Sequence, residues 1–282
     1  MSIMSGQEHE KIKSLLVSVP AGFLVDSAWL ERHDIGRRSS YYHVKRGWLE
    51  RVHRGVFRRP APNQAKSNTL DWKTCLLSMQ HIMDYKLHVG GMTALGLQGH
   101  RHYVPMGDNT PVWVYGDDIP NWLAKLPLNA SLQTRSLSLF SDPTLGLTTQ
   151  DDKPDSSPSA SLPWDWTLTM STPERAILEM LDELPDHESF HNLDMVFEGL
   201  ANLSPRRMRS LLESCKKIKV KRLFFVFADR LDHAWRKRLD PEKFYLGTGD
   251  RALVKGGKIH RRYRIMVPAE FTEDNNETDD AL

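Results

Sequence analysis

A chain of 282 residues with 40% apolar and 26% charged side chains is long enough for about two domains and too apolar to be disordered throughout. It has no run of eighteen apolar residues, and Glu8, Glu10, Lys11 and Lys13 interrupt its first stretch, which excludes a membrane span and a signal peptide and points to a cytoplasmic protein. The formal charge of +2 divides unevenly: residues 30–60 hold nine Lys/Arg against three acids and 205–264 nineteen against six, while 141–200 hold two against thirteen, a segregation that predicts separate surfaces for separate partners.

Ile12, Leu15, Leu16 and Val19 follow helical spacing over residues 8–19. Asp26 is placed to cap a second helix over 27–33, and Asp34-Ile35-Gly36 forms a turn into a third over 37–46 that should end at Gly47. Residues 48–52 and 56–59 read as two short strands about His53-Arg54-Gly55, and Pro60 closes the unit. A polar linker to Asn68 and a helix over 69–85 come next, then a strand at 87–89 and a short helix at 92–98. Strands are expected over 101–104, 111–115 and 131–140, with a helical turn at 121–126.

Residues 148–163 have the acidic, Pro/Ser-rich composition of a mobile loop. Beyond a strand at 166–170, Ser171-Thr172-Pro173-Glu174 has the pattern of a capping box opening a helix to Leu184. Helices over 189–200, 205–215 and 220–239 come next, the last with Leu223, Phe224, Phe227, Leu231 and Trp235 on one stripe. A hairpin turning at Gly256-Gly257, between 253–255 and 259–267, is expected to close the fold, and the acidic residues from 270 on to be disordered. The two cysteines, Cys75 and Cys215, exclude a disulfide framework and read as core thiols.

The expected fold is therefore α+β: a winged helix-turn-helix at 1–60, a linker at 61–68, a larger mixed α/β domain at 69–268 and an acidic tail at 269–282. In a winged helix the third helix enters the major groove while the wing lies along the backbone, so basic side chains should crowd those two places. Tyr41 and Val44 are spaced to pack inward, which leaves Arg37, Arg38, Ser40, Tyr42, His43 and Lys45 towards solvent. Arg51, Arg54, Arg58 and Arg59 surround the wing turn. Arg37 and Arg38 suit base edges and the wing arginines suit phosphates, which makes double-stranded DNA the expected partner.

Catalytic constellations are missing by contrast: the sequence has no phosphate-binding Gly-rich loop, no His-Glu-x-x-His and no Gly-x-Ser-x-Gly. Asp240-Pro241-Glu242-Lys243 resembles a nuclease cluster but stands where a helix should end. His100 and His102 are too few to make a metal site, and Gly247-Thr248-Gly249-Asp250 and Gly256-Gly257-Lys258 read as turns. No cofactor or metal is expected.

Gly90-Gly91-Met92-Thr93-Ala94-Leu95-Gly96-Leu97-Gln98-Gly99 and Thr172-Pro173-Glu174-Arg175-Ala176-Ile177-Leu178-Glu179-Met180-Leu181 give the chain a further character. With these, Arg54-Gly55-Val56-Phe57, Lys219-Val220-Lys221-Arg222 and the closing Gly257-Lys258-Ile259-His260-Arg261-Arg262-Tyr263 with Val267-Pro268, it resembles the AbiEi family over nearly its whole length. That family comprises the antitoxins of AbiE-type (type IV) abortive-infection toxin–antitoxin systems. The resemblance implies a bacterial autorepressor that binds inverted repeats in its own promoter through the winged helix and is associated with the nucleoid, with a C-terminal domain that supports cooperative DNA binding and antagonises a nucleotidyltransferase-type toxin in phage defence. The Gly-Ser and paired-Asp signature of such a toxin is absent here, so the resemblance points to the antitoxin and not the enzyme.

Arg206, Arg207, Arg209, Lys216, Lys217, Lys219, Lys221 and Arg222 would then form a second basic surface for flanking DNA, RNA or an acidic face of the toxin. Two alternatives stand beside this reading. One is a metal-dependent nuclease or transferase using Asp240 and Glu242, and the other is a winged protein-interaction module.

Overall fold

The computed structural model describes residues 6–62, 69–100, 111–148 and 165–272. Its first part has the winged plan: α1 Gly6–Ser18, β1 Leu24–Asp26, α2 Ser27–Arg32, α3 Arg37–Lys45, β2 Glu50–His53 and β3 Val56–Arg58. Asp26 caps α2 by accepting the Trp29 amide at 2.8 Å, and Gly47 comes after α3 with φ +75, the left-handed geometry that glycine adopts without strain. Sequence pattern missed β1. Leu24-Val25-Asp26 is too short to alternate visibly, yet it pairs antiparallel with β3 and completes a sheet of order β1-β3-β2.

The 69–85 helix divides into α4 Trp72–Leu77, capped by Asp71, and a π turn over Ser78–Ile82. At that break the Ser78 hydroxyl accepts the Leu24 amide of β1 at 3.0 Å and donates to Thr74 O, while the Gln80 amide bridges Leu87 and Thr169. A mixed five-stranded sheet of order β6-β5-β4-β8-β7 is built from β4 Leu87–Val89, β5 Pro111–Gly116, β6 Ser131–Arg135, β7 Leu147–Thr148 and β8 Met170–Ser171. Its strands at 131–140 and 166–170 are shorter than expected. Beyond Arg135 the chain leaves the sheet, and the Leu137 amide donates to Asp117.

Helix α5 Gly91–Leu97 packs against α6 Pro173–Asp182, and α6 in turn against α8 Pro205–Ser214 and α9 Ile218–Asp229, with α7 Phe190–Gly199 beside α9. The expected long helix over 220–239 stops at Asp229, where side-chain bonds outcompete further helix: Asp229 accepts Arg236 and Tyr263, and the Trp235 indole donates to Leu200 O at 2.7 Å. The closing hairpin is also displaced. β9 Lys258–Ile259 pairs with β10 Met266–Val267, so the chain turns through 260–265 and not at Gly256-Gly257. The tail is ordered further than expected, since Ala269–Phe271 forms a 3-10 turn and the Phe271 ring packs 5.1 Å from Phe227 and 5.3 Å from Phe190. The expected strand at 101–104, the linker beyond residue 62, the 148–163 loop after Thr148, His102 and the tail after 272 lie outside the described residues.

Two apolar cores organise these elements. The second gathers α5 to α9 around Phe224, Phe225 and Phe227. The first is shared, for it joins Trp29, Leu30, Val56 and Phe57 of the winged unit to Leu76, Met79, Val89, Val114 and Leu123 beyond it. Polar bonds fasten the same junction: Tyr85 donates to Asp26 at 2.5 Å and Arg32 to Met83 O at 3.0 Å.

Candidate nucleic-acid interface

Helix α3 presents its faces differently from the expectation. Ser40 and His43 are buried, and Tyr41 and Tyr42 are exposed, at 58% and 43%. The reason is the turn of chain after the helix: Trp48 and Leu49 donate their amides to His43 O, and Leu49, 1% exposed, enters the core on that side. Inward orientation of Tyr41 and outward orientation of Ser40 and His43 are therefore corrected. The solvent face of α3 consists of Arg37, Arg38, Tyr41, Tyr42 and Lys45, which helical spacing sets along one broad stripe.

The wing sorts its arginines in the same way. Arg51 and Arg54 are exposed. Arg58 instead pairs with Glu50 at 2.7 Å, and Arg59 donates to Leu16 O and Val19 O at 2.5 and 2.6 Å, where it satisfies carbonyls at the end of α1. Those two arginines hold the unit together and are not free for phosphate. Gly55 at the wing tip has φ +76, and its carbonyl accepts the Ser27 amide at 2.8 Å, which ties the wing to the start of α2. Between wing and helices lies a cleft of about 920 Å³, whose wall includes Arg37, Arg51, Arg54 and Phe57.

Elsewhere some of the segregated charges pair with one another. Asp182 pairs with Lys217 at 2.6 Å and Lys219 at 3.6 Å, Asp194 with Arg230, and Glu174 with Arg207. At these places the acidic 141–200 block and the basic C-terminal block meet within the chain, which takes Arg207, Lys217, Lys219 and Arg230 into internal pairs. Of the second basic surface, Arg222 is 2% exposed and donates to the carbonyls of Leu246, Gly247, Gly249 and Arg264. Lys221 is buried and Lys219 donates to Asp182 O and Leu184 O. Arg209 donates to Arg238 O, so Arg206 and Lys216 are the members whose exposed side chains have no hydrogen bond or ion pair among the described residues.

The two long phrases at 90–99 and 172–181 meet in the interior. Glu179, 1% exposed, accepts from the Gly91 amide at 2.9 Å, Ser171 Oγ at 2.8 Å, Arg175 Nε at 2.8 Å and His88 Nε2 at 3.1 Å. Arg175 also donates to Pro143 O and Leu145 O and lies over the Phe140 ring. Ser171 and Glu174 do not form the expected capping box: Ser171 turns in to Glu179, and Glu174 accepts the Ser204 amide at 2.7 Å. Burial lowers the His88 pKa against the opposing pull of Glu179. Burial also opposes ionisation of Glu179, but His88 and Arg175 outweigh it and hold this carboxyl below the usual range. The cluster is closed to solvent, so its chemistry is that of a buried ion pair joining β4, α5 and α6 and not that of a reaction site.

The remaining candidates are turns. Asp240 accepts the Glu242 amide at 3.1 Å as a cap, and the carbonyls of Gly247 and Gly249 face Arg222. No group of three or more His, Cys, Asp or Glu suited to a metal occurs among the described residues, and no helix there is long and apolar enough to cross a membrane.

Comparison with known proteins agrees with this layout. Residues 8–106 match a family described as "Transcriptional regulator, AbiEi antitoxin N-terminal domain", and residues 109–268 one described as "Transcriptional regulator, AbiEi antitoxin, Type IV TA system". No curated protein matches. Among solved structures the chain is similar in fold to the RV2827C protein from Mycobacterium tuberculosis, with 13% identity, a TM-score of 0.52, and 94% of this chain and 92% of that chain covered. With the two family matches spanning nearly its whole length, this chain belongs to the AbiEi antitoxins, the transcriptional regulators of type IV toxin–antitoxin systems.

Proposed function

We propose that the protein is a sequence-specific autorepressor that binds inverted repeats in its own promoter, and an antitoxin that counteracts a cognate nucleotidyltransferase-type toxin in phage defence. The observation that carries the DNA reading is the contrast in ion pairing. Of the eight candidates for a second basic surface, Arg207, Lys217 and Lys219 are ion-paired, Arg222 and Lys221 are buried and Arg209 donates to a carbonyl, whereas Arg37, Arg38, Lys45, Arg51 and Arg54 have no ion pair among the described residues. These five stand on the exposed face of α3 and on the wing, where a duplex would meet both.

On this reading α3 lies in the major groove. Arg37 and Arg38 donate to base edges, Tyr41 and Tyr42 offer apolar contact and hydroxyls, and Arg51 and Arg54 bind phosphate. The protein then works without catalysis, in the cytoplasm and at the nucleoid. A nuclease reading has less support, because Asp240 is occupied in capping its own turn.

Fluorescence anisotropy on the upstream promoter duplex and a scrambled duplex tests the assignment. Replacing both Arg37 and Arg38 by Ala should cost about 1–3 kcal/mol per lost base contact on the promoter and much less on the scrambled duplex. Equal promoter affinity in the double variant and the parent would refute the recognition helix.

A further inference from the structure

We propose that Lys125, which lies outside the winged unit in sequence, is a DNA-phosphate contact of the same interface; this rests on the operator binding proposed above. The winged unit does not line the cleft beside α3 alone. Lys125, on the helical turn Leu123–Lys125, and Trp122 just before that turn supply the rest of its wall, in company with Arg37, Arg51 and Arg54.

The turn is held in register with the helices that would meet DNA. Leu123 and Leu126 are 1% and 8% exposed in the shared first core. Trp122 packs edge-on against Tyr85 at 6.2 Å, and the Tyr85 hydroxyl donates to Asp26, the cap of α2. Lys125 itself is exposed and has no ion pair among the described residues, like Arg37, Arg51 and Arg54.

Among the described residues Glu31 is the one acid on this wall, so four cations face a space that a single carboxylate does not balance. A duplex strand does balance them, because its charges recur about every 3.4 Å along the axis and can meet cations spread across a cleft.

The test is a salt series of anisotropy titrations with the full chain on the promoter and scrambled duplexes. Lys125→Ala should weaken binding to both duplexes by the same factor, roughly three- to tenfold, and make the log–log salt slope shallower by about 0.9. Lys125→Glu should weaken it further, and neither variant should change the melting temperature. An unchanged slope in both variants, or a loss confined to the promoter duplex at constant slope, overturns the contact and leaves operator binding by the winged unit standing. A parent protein that binds neither duplex overturns both.

Discussion

Gly90 shows how much one residue can be required by its surroundings. Its backbone is extended, so the need for glycine is steric: a Cβ there would lie 2.3 Å from a Glu179 carboxylate oxygen and 2.6 Å from the Tyr115 ring. Gly90→Ala should therefore destabilise the protein by about 3 kcal/mol or more, since both neighbours are themselves packed. Urea unfolding measures it, and a variant with the parent's midpoint would mean that the Glu179 carboxylate can move aside. His88 makes the second prediction at this scale. Its folded pKa is depressed by burial, so its contribution is present above the unfolded value of about 6.5 and is lost as pH falls towards the folded one. Glu179, also depressed, acts in the same direction at lower pH. Stability should fall on acidification from pH 7 to 5, and His88→Gln should flatten that fall by up to about 1.4 kcal/mol per pH unit. An identical slope in the variant would show that His88 does not titrate there.

At the scale of elements, the arginines of the wing divide between stability and binding. Arg59 caps the carbonyls at the end of α1, whereas Arg54 at the wing tip is exposed. Arg59→Ala should cost about 1.5–3 kcal/mol of stability with the DNA salt slope unchanged. Arg54→Ala should do the reverse, with the slope shallower by about 0.9 and the melting temperature unaltered. Melting curves and salt titrations of the two variants check both halves, and matching profiles would show that the wing does not sort its cations this way. The α3 pattern explains why sequence spacing placed its faces incorrectly. Val44 packs inward as its spacing suggests, but Tyr41 competes with Ser40 and His43 for the interior, and an apolar count favours Tyr41. The deciding influence is the position of Trp48 and Leu49, whose amides both reach His43 O and carry Leu49 inward.

Across the whole molecule, the shared first core makes the winged unit dependent on the larger domain. Trp29, Val56 and Phe57 pack in one cluster with Met79, Val89 and Leu123. A fragment of residues 1–62 should accordingly show no cooperative thermal transition by circular dichroism, because it would expose that side of its core. A sharp melt of the fragment would show that the winged unit is a separate folding domain.

Local chemistry sufficed for the winged plan, the cap at Asp26, the turn at Gly47, most helices and the family resemblance, because capping, left-handed glycine and helical spacing act over a few residues. It also placed Arg37, Arg38, Arg51 and Arg54 on exposed elements. The partners of distant charges lay beyond its reach. Glu174 and Arg207 are 33 residues apart and Asp182 and Lys217 are 35 apart, so members of two blocks of opposite sign that look separate in one dimension meet as ion pairs in the fold. Folding sets those pairings because burial makes an unpaired charge costly, and no short-range pattern records which remote segment will supply the opposite charge.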